Sequence, residues 1–214
     1  NWILNAKIHA AVELYLATQE KEYSNFVLDQ QEYICKNIRQ TGWYIGRFDK
    51  AIGNKKFSKN IRKALPELQQ MYQEYSVRTP YGVPHDRGNL SSGSWEPQHL
   101  GYNYCYLHDA YPDLFEPDYI FNAVQYLLGM HPGQNQSAFV TGIGAETMKQ
   151  AYGVNRADWS YIPGGVAPGT NLIRPDLPEL LRFPFLWQEG EYCLGGHSTW
   201  FTYMVLASTH ILNK

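Results

Sequence analysis

The chain has 214 residues, a formal net charge of -2 and only 18% charged residues. Without a basic block or an acidic tail it offers nothing to nucleic acid or to an anionic membrane surface, and its longest apolar runs are too short for a membrane span. The length suffices for one large domain or two small ones with a real core.

Aromatic residues make up 15% of the chain, with 17 Tyr and 6 Trp. Rings with polar tips suit either a Tyr-rich core or a surface that stacks on sugars, and composition does not choose between them. Three cysteines, Cys35, Cys105 and Cys193, show no metal spacing, and an odd number cannot all pair internally. They read as buried free thiols. The sequence opens inside a helical pattern without a signal peptide, as a mature chain or a fragment would.

In chain order, residues 3–16 place Leu4, Ile8, Ala11, Val12 and Tyr15 on one helical face. The pattern continues through Tyr23, Phe26, Val27, Tyr33, Ile34 and Ile38. A glycine-containing break is expected at "TGWYIGRFD", then a solvated basic stretch, "GNKKFSKNIRK". Pro66 is expected in the first turn of the next helix, which carries Leu68, Met71, Tyr72 and Tyr75. Residues 77–95, rich in Gly, Pro and Ser, predict a long irregular loop of the kind that often carries function.

Helical patterning resumes at "PQHLGYNYCYLHDAY", and again behind Pro117 with Ile120, Val124, Leu127 and Leu128. Asp109 and Asp113 read as a helix end and a turn rather than a working pair, because Pro112 breaks the pattern between them. From Gly129 to Gln188 helical periodicity is nearly absent, over a length too great for a passive connector. A last helix is expected at about 191–212, with Leu194, Phe201, Met204, Val205, Ser208 and Ile211 inside. The fold class is all-α with long loops, without a recognisable repeat of 20–50 residues.

The segment "WQEGEYCLGGHSTW" brings two acids, Glu189 and Glu191, to the mouth of that last helix. Taken alone, Glu191 reads as a helix-dipole carboxylate. Its neighbours Trp187, Tyr192, Cys193 and Leu194 would instead suit an acid whose pKa is raised by apolar surroundings.

Four strings in order resemble glycoside hydrolase family 9: "AAVELYLATQEKEYSNF", "SSGSWEPQHLGYNYCYLHDAYPD", "FNAVQYLLGMHPGQNQSAFVTGIG" and "WQEGEYCLGGHSTW". The resemblance covers about 10–212 and looks closest to a Bacteroidetes-type variant of the family. It implies that residues 1–214 are the C-terminal portion of a single (α/α)6 toroid, secreted, periplasmic or cell-surface, that hydrolyses β-glycosidic bonds with inversion. On this resemblance Glu191 matches the general acid, and Arg156 falls near the family's sugar-lining arginine.

Three departures stand beside the match. The family's water-activating carboxylates lie in an Asp-Ala-Gly-Asp motif that this sequence lacks, so an N-terminal half of the domain is the implied partner. The family's His-His-Arg is "VNRADW" here, and the Asn before the acid is Gly190.

An inverting glycosidase needs a protonated carboxyl on the leaving oxygen and a second carboxylate on the opposite face, about 6.5–9.5 Å away, to activate water. Glu189 is the second candidate for the acid. Arg156 can fork onto sugar hydroxyls or sit in a surface ion pair, with Asp158 as its partner or as a hydroxyl ligand. Trp159, Tyr161 and Trp95 are candidate stacking platforms; taken singly such rings are more often core, and their place in glycine-rich loops favours the platform role. His131 and His197 read as structural. No catalytic metal or cofactor is expected, and the resemblance leaves room for a structural calcium. The alternatives are a non-catalytic glycan-binding or structural toroid and, more remotely, a polysaccharide lyase using a Tyr/His pair.

Overall fold

A computed structural model describes residues 2–78, 81–83, 95–130, 138–143, 150–151, 163–166, 192–193 and 195–214. These residues are mostly helical, as the periodicity predicts. The helices are α1 (Trp2–Thr18), α2 (Lys21–Asp29), α3 (Gln31–Lys36), α4 (Ile38–Ile52), α5 (Lys55–Ser76), α6 (Trp95–Ala110), α7 (Asp118–Leu127) and α8 (Gly195–Leu212). Two short strands, β1 (Gln150–Ala151) and β2 (Tyr192–Cys193), pair in parallel, Gln150 opposite Tyr192 and Ala151 opposite Cys193.

Two compact units emerge, one of Asn1–Glu74 with Asn103–Glu116, the other of Tyr75–Tyr102 with Pro117–Lys214. Helix α6 gives its first half to the second unit and its second half to the first.

In the first unit α1 packs against α2 and α4. The expected stripe is buried at Ile8, Ala11, Val12 and Tyr15. At the end of α1 the chain turns through Gln19, a non-glycine residue at φ 61°. Such a conformation costs an L-residue about 1 kcal/mol. Two bonds to the Tyr15 carbonyl offset it, one from the Gln19 backbone N–H at 2.8 Å and one from its side-chain amide at 3.1 Å.

The glycine break expected at residues 41–49 does not occur: α4 runs unbroken from Ile38 to Ile52. Gly42 and Gly46 lie one turn apart inside it and serve packing instead. A Cβ on Gly42 would stand 2.5 Å from Leu68 Cδ2, and one on Gly46 would stand 2.5 Å from the Ala110 Cβ. The helix accepts a propensity cost of up to about 1 kcal/mol per glycine for that approach.

The basic stretch is solvated at its cations, as expected, and is helical from Lys55. α5 begins at Lys55, and Phe57, Ile61 and Leu65 line its buried side while the cations face outward. Pro66 therefore sits inside α5 and not in its first turn. Asn54 caps α5, its Oδ1 accepting from the N–H groups of Lys56 (3.0 Å) and Phe57 (3.1 Å). An edge-to-face chain of rings, Tyr15 on Phe48 and Phe48 on Phe57, runs through the unit's core.

Asp109 and Asp113 fall at a helix end and in a turn, as expected. Asp109 pairs with Lys50 at 2.9 Å and Asp113 with Arg62 at 2.8 Å, both exposed. Such surface pairs contribute little stability. Cys35 and Cys105 are free thiols. Burial pushes the Cys105 thiol up to about 12, so it is chemically quiet at neutral pH.

In the second unit α7 packs on α8. Ile120, Ala123, Tyr126 and Leu127 are buried, whereas Val124 is only half-buried and Leu128 is exposed beyond the helix end. Gly101 of α6 again admits close neighbours. A Cβ there would stand 2.5 Å from Met204 Sδ of α8 and 3.0 Å from the Ala123 Cβ of α7. Met204 and Ser208 are the buried members of the inner face expected for α8, and Phe201, Val205 and Ile211 are half-buried.

The Gly46 contact generates a test. Gly46→Ala should destabilise the protein by about 1–3 kcal/mol in urea unfolding, because Ala110 Cβ has no rotamer with which to yield. Adding Ala110→Gly should restore much of that loss. Equal stability of the single variant and wild type would contradict the packing.

Candidate functional site

Most of the candidates read from the sequence fall between residues 156 and 191, ahead of α8 in the chain. Glu191, Glu189, Arg156, Asp158, Trp159 and Tyr161 lie outside the described residues. Trp95 is the first residue of α6, and its ring is also outside the described residues, as are Leu194 and the side chain of His197. The described residues of the second unit that flank them in the chain form a frame of their own.

Three backbone associations build that frame. The first joins β1 to β2, so the residue directly after Glu191 is paired in parallel with Gln150. A parallel pair needs a long connection between its strands, and the connection here, residues 152–191, contains all the loop candidates.

The second association involves "VTG" at 140–142 and "PGGV" at 163–166. Val140 and Val166 form an antiparallel bridge. The Thr141 N–H donates to the Gly165 carbonyl at 2.8 Å, and Gly165 N–H donates to Thr141 Oγ1 at 2.8 Å. Gly164 N–H adds a longer bond to the Thr141 carbonyl at 3.3 Å. Thr141 is buried, so this hydroxyl supplies an acceptor that water cannot. The third association ties the same segment to α8, through Val166 N–H donating to Ser198 Oγ at 3.2 Å.

The string "YLLGMHPGQNQSAFVTG" is closed on itself at its two described ends. Gly129 takes φ 118°, open to glycine alone, directly after α7. Phe139 N–H donates to the Leu127 carbonyl at 3.0 Å, and the Phe139 ring stacks on Tyr126 with centroids 5.5 Å apart.

One turn into α8 an aromatic face begins. Trp200 lies 5.3 Å from His99 and 6.4 Å from Tyr102 of α6, and Tyr203 packs edge-on to Tyr102 at 5.2 Å. All four side chains are half-buried. Trp95 stands one helical turn before His99 in register. Rings in this state present apolar faces with polar tips, which suits stacking on sugars as well as helix packing. Burial lowers the His99 pKa, with the Glu96 carboxylate pulling the other way.

Among the described residues no group of three or more His, Cys, Asp or Glu is arranged to hold a metal ion. No described helix is long and apolar enough to cross a membrane.

The chain matches no family model and no curated protein.

Thr141, Ser198 and the Gly164–Gly165 pair are framing residues that the sequence reading did not single out. A signal existed, since "VTG" and "PGGV" are each a β-branched or apolar residue beside glycine, the composition of a backbone-to-backbone clasp.

Thr141→Val keeps the shape and removes the hydroxyl. It leaves the buried Gly165 N–H without its acceptor and should cost about 1–3 kcal/mol in denaturant unfolding; no change would show the clasp to be dispensable. His99 predicts a pH effect. Its folded pKa is lowered below the ordinary 6.5, so the unfolded chain binds the proton first as pH falls. Its contribution is therefore complete above about pH 6.5 and is lost as pH falls from there through the lowered folded value. His99→Gln should flatten the fall in stability between about pH 7 and pH 5; a variant profile parallel to wild type would assign the fall to other groups.

Proposed function

We propose that this chain is the C-terminal portion of a glycosidase catalytic domain of the (α/α)6 type, hydrolysing β-glycosidic bonds in a polysaccharide or oligosaccharide with inversion. The observation that carries the reading is the order of the strings "ELYLAT", "YLLGMHPG", "FVTGIG" and "QEGEYC" along a mostly helical chain. The parallel pairing of Tyr192, beside Glu191, with Gln150 supports it, because a general acid needs a fixed backbone from which to reach the leaving oxygen.

In this mechanism Glu191 protonates the glycosidic oxygen. It keeps its proton near neutral pH by desolvation, and a dipole contact at the helix start works against it. Arg156 and Asp158 bind hydroxyls of the sugar next to the scissile bond, and Trp159, Tyr161 and Trp95 stack on sugar faces. Glu189 stands by as a polar neighbour. The carboxylate that activates water comes from an N-terminal half bearing the family's Asp-Ala-Gly-Asp motif, across a gap wide enough for that water. The protein works outside the cytoplasm or at the cell surface of a bacterium, and it takes no catalytic metal.

A second reading is a glycan-binding or structural toroid without catalysis. It is favoured by "VNRADW" in place of His-His-Arg and by Gly190 in place of Asn.

Glu191→Gln in the complete parent protein separates the two. Hydrolysis of the substrate should fall by about 100-fold or more, the scale usual for a general acid, while oligosaccharide binding by titration calorimetry persists. Turnover near that of the wild type removes Glu191 from the mechanism. Binding by the wild type with no cleavage at all establishes the second reading.

A further inference from the structure

The first unit carries a charge constellation that the glycosidase reading does not use. An open depression of about 590 Å³ lies at the α4–α5 turn, lined among others by Asp49, Ser58, Lys55, Lys59, Arg62 and Lys63. That volume falls within the range of small-molecule sites.

The depression has a fixed floor. Asp49 is only 7% exposed, and its Oδ2 accepts from the buried Tyr111 hydroxyl at 2.9 Å. The Arg62 guanidinium lies 5.2 Å over the Tyr111 ring. It is held there by two bonds to the Asp113 carboxylate, at 2.8 and 3.2 Å. Four groups thus hold one another in place, and the bidentate pair orients the guanidinium.

The rim is unbalanced. Lys55, Lys59 and Lys63 follow one another at i, i+4 and i+8 along α5. Among the described residues none of the three is in an ion pair. Like charges at this spacing destabilise a helix by about 0.2–0.5 kcal/mol per pair. The next residue in that register is Glu67, which is taken up by Arg39 at 2.9 Å. The floor is unbalanced in the opposite sense, because Asp49 Oδ1 is buried and has no hydrogen-bond partner. A buried carboxylate oxygen left unmet is costly.

We infer that this depression binds a small phosphorylated polyol. Its phosphate sits on the ammonium row of Lys55, Lys59 and Lys63, beside the oriented Arg62. A hydroxyl of its carbon frame supplies the donor that Asp49 Oδ1 lacks. Oδ1 is closed from solvent in the free state, so the ligand displaces a rim side chain as it enters. A dianion meets several cations at once, whereas a carboxylate ligand would bring half the charge to the same row.

Titration calorimetry of the parent protein with glycerol 3-phosphate and, separately, with inorganic phosphate tests this. Glycerol 3-phosphate should bind saturably and more tightly than inorganic phosphate. The double variant Lys59→Gln/Lys63→Gln, altered only on an exposed helix face, should lose about tenfold or more for both probes. Asp49→Asn should erase the preference for the hydroxylated probe while inorganic phosphate still binds. If Asp49→Asn fails to fold, the preference of the wild type and the lysine variant decide. No saturable binding, binding indifferent to the two lysines, or equal affinity for the two probes overturns the assignment.

Discussion

Close backbone approach at helix-interior glycines is the constraint on which both units depend. In α4, Gly42 and Gly46 present bare backbone to Leu68 of α5 and to Ala110 at the end of α6. Interiors are packed to crystal-like density, so a methyl at Gly46 has no void to occupy, whereas one at Gly42 meets the movable end of Leu68. Gly101 plays the corresponding part in the second unit, between Met204 and Ala123. There the nearest neighbour is the flexible end of a methionine, which yields more readily than the fixed Cβ beside Gly46.

Around that packing the first unit organises its polar groups economically. Asp49 falls four residues after Ile45, on the inward side of α4, and is buried with Tyr111 as its partner. Tyr111 is packed in turn under Arg62, which Asp113 holds from the solvent side. A carboxylate drawn into the core by its helical register thus fixes a guanidinium at the surface. The lysines that share the depression stand in a row on the outward side of α5 because Phe57, Ile61 and Leu65 take its inward side. The same amphipathic register therefore makes the core and gathers the charge.

The second unit solves a different problem, that of anchoring long connections without regular structure. The clasp of Thr141 on Gly164 and Gly165, the bond from Val166 to Ser198 and the β1–β2 pair are each small. Together they tie segments distant in sequence to the start of α8. A site carried on loops gains precision only from such ties, since loop backbone lacks the repetitive bonds of a helix. Of the proposed acid Glu191, only the backbone partner of its neighbour Tyr192 is described, and Arg156, Asp158, Trp159 and Tyr161 lie outside the described residues.

Much of the helical layout was legible in the sequence alone. The stripe of α1 and the inner position of Met204 follow from periodicity, because a side chain on a helix faces inward or outward by register. The helix end at Ala110 follows from Pro112. The candidate residues themselves came from motif order and not from any pattern of burial. Where local rules misled, a tertiary contact had outweighed a local preference. Glycines that read as a break at 41–49 are the contact surface of a continuous α4. Pro66, expected in a first turn, is carried inside α5 by the buried residues on either side of it, Leu65 and Leu68. Sequence determined which residues could lie on one face of a helix, because that depends on 3.6 residues per turn. Only the tertiary structure decided which backbones would touch at Gly46 and which carboxylate would lie buried with one oxygen unmet at Asp49, because both depend on what another part of the chain brings to that face.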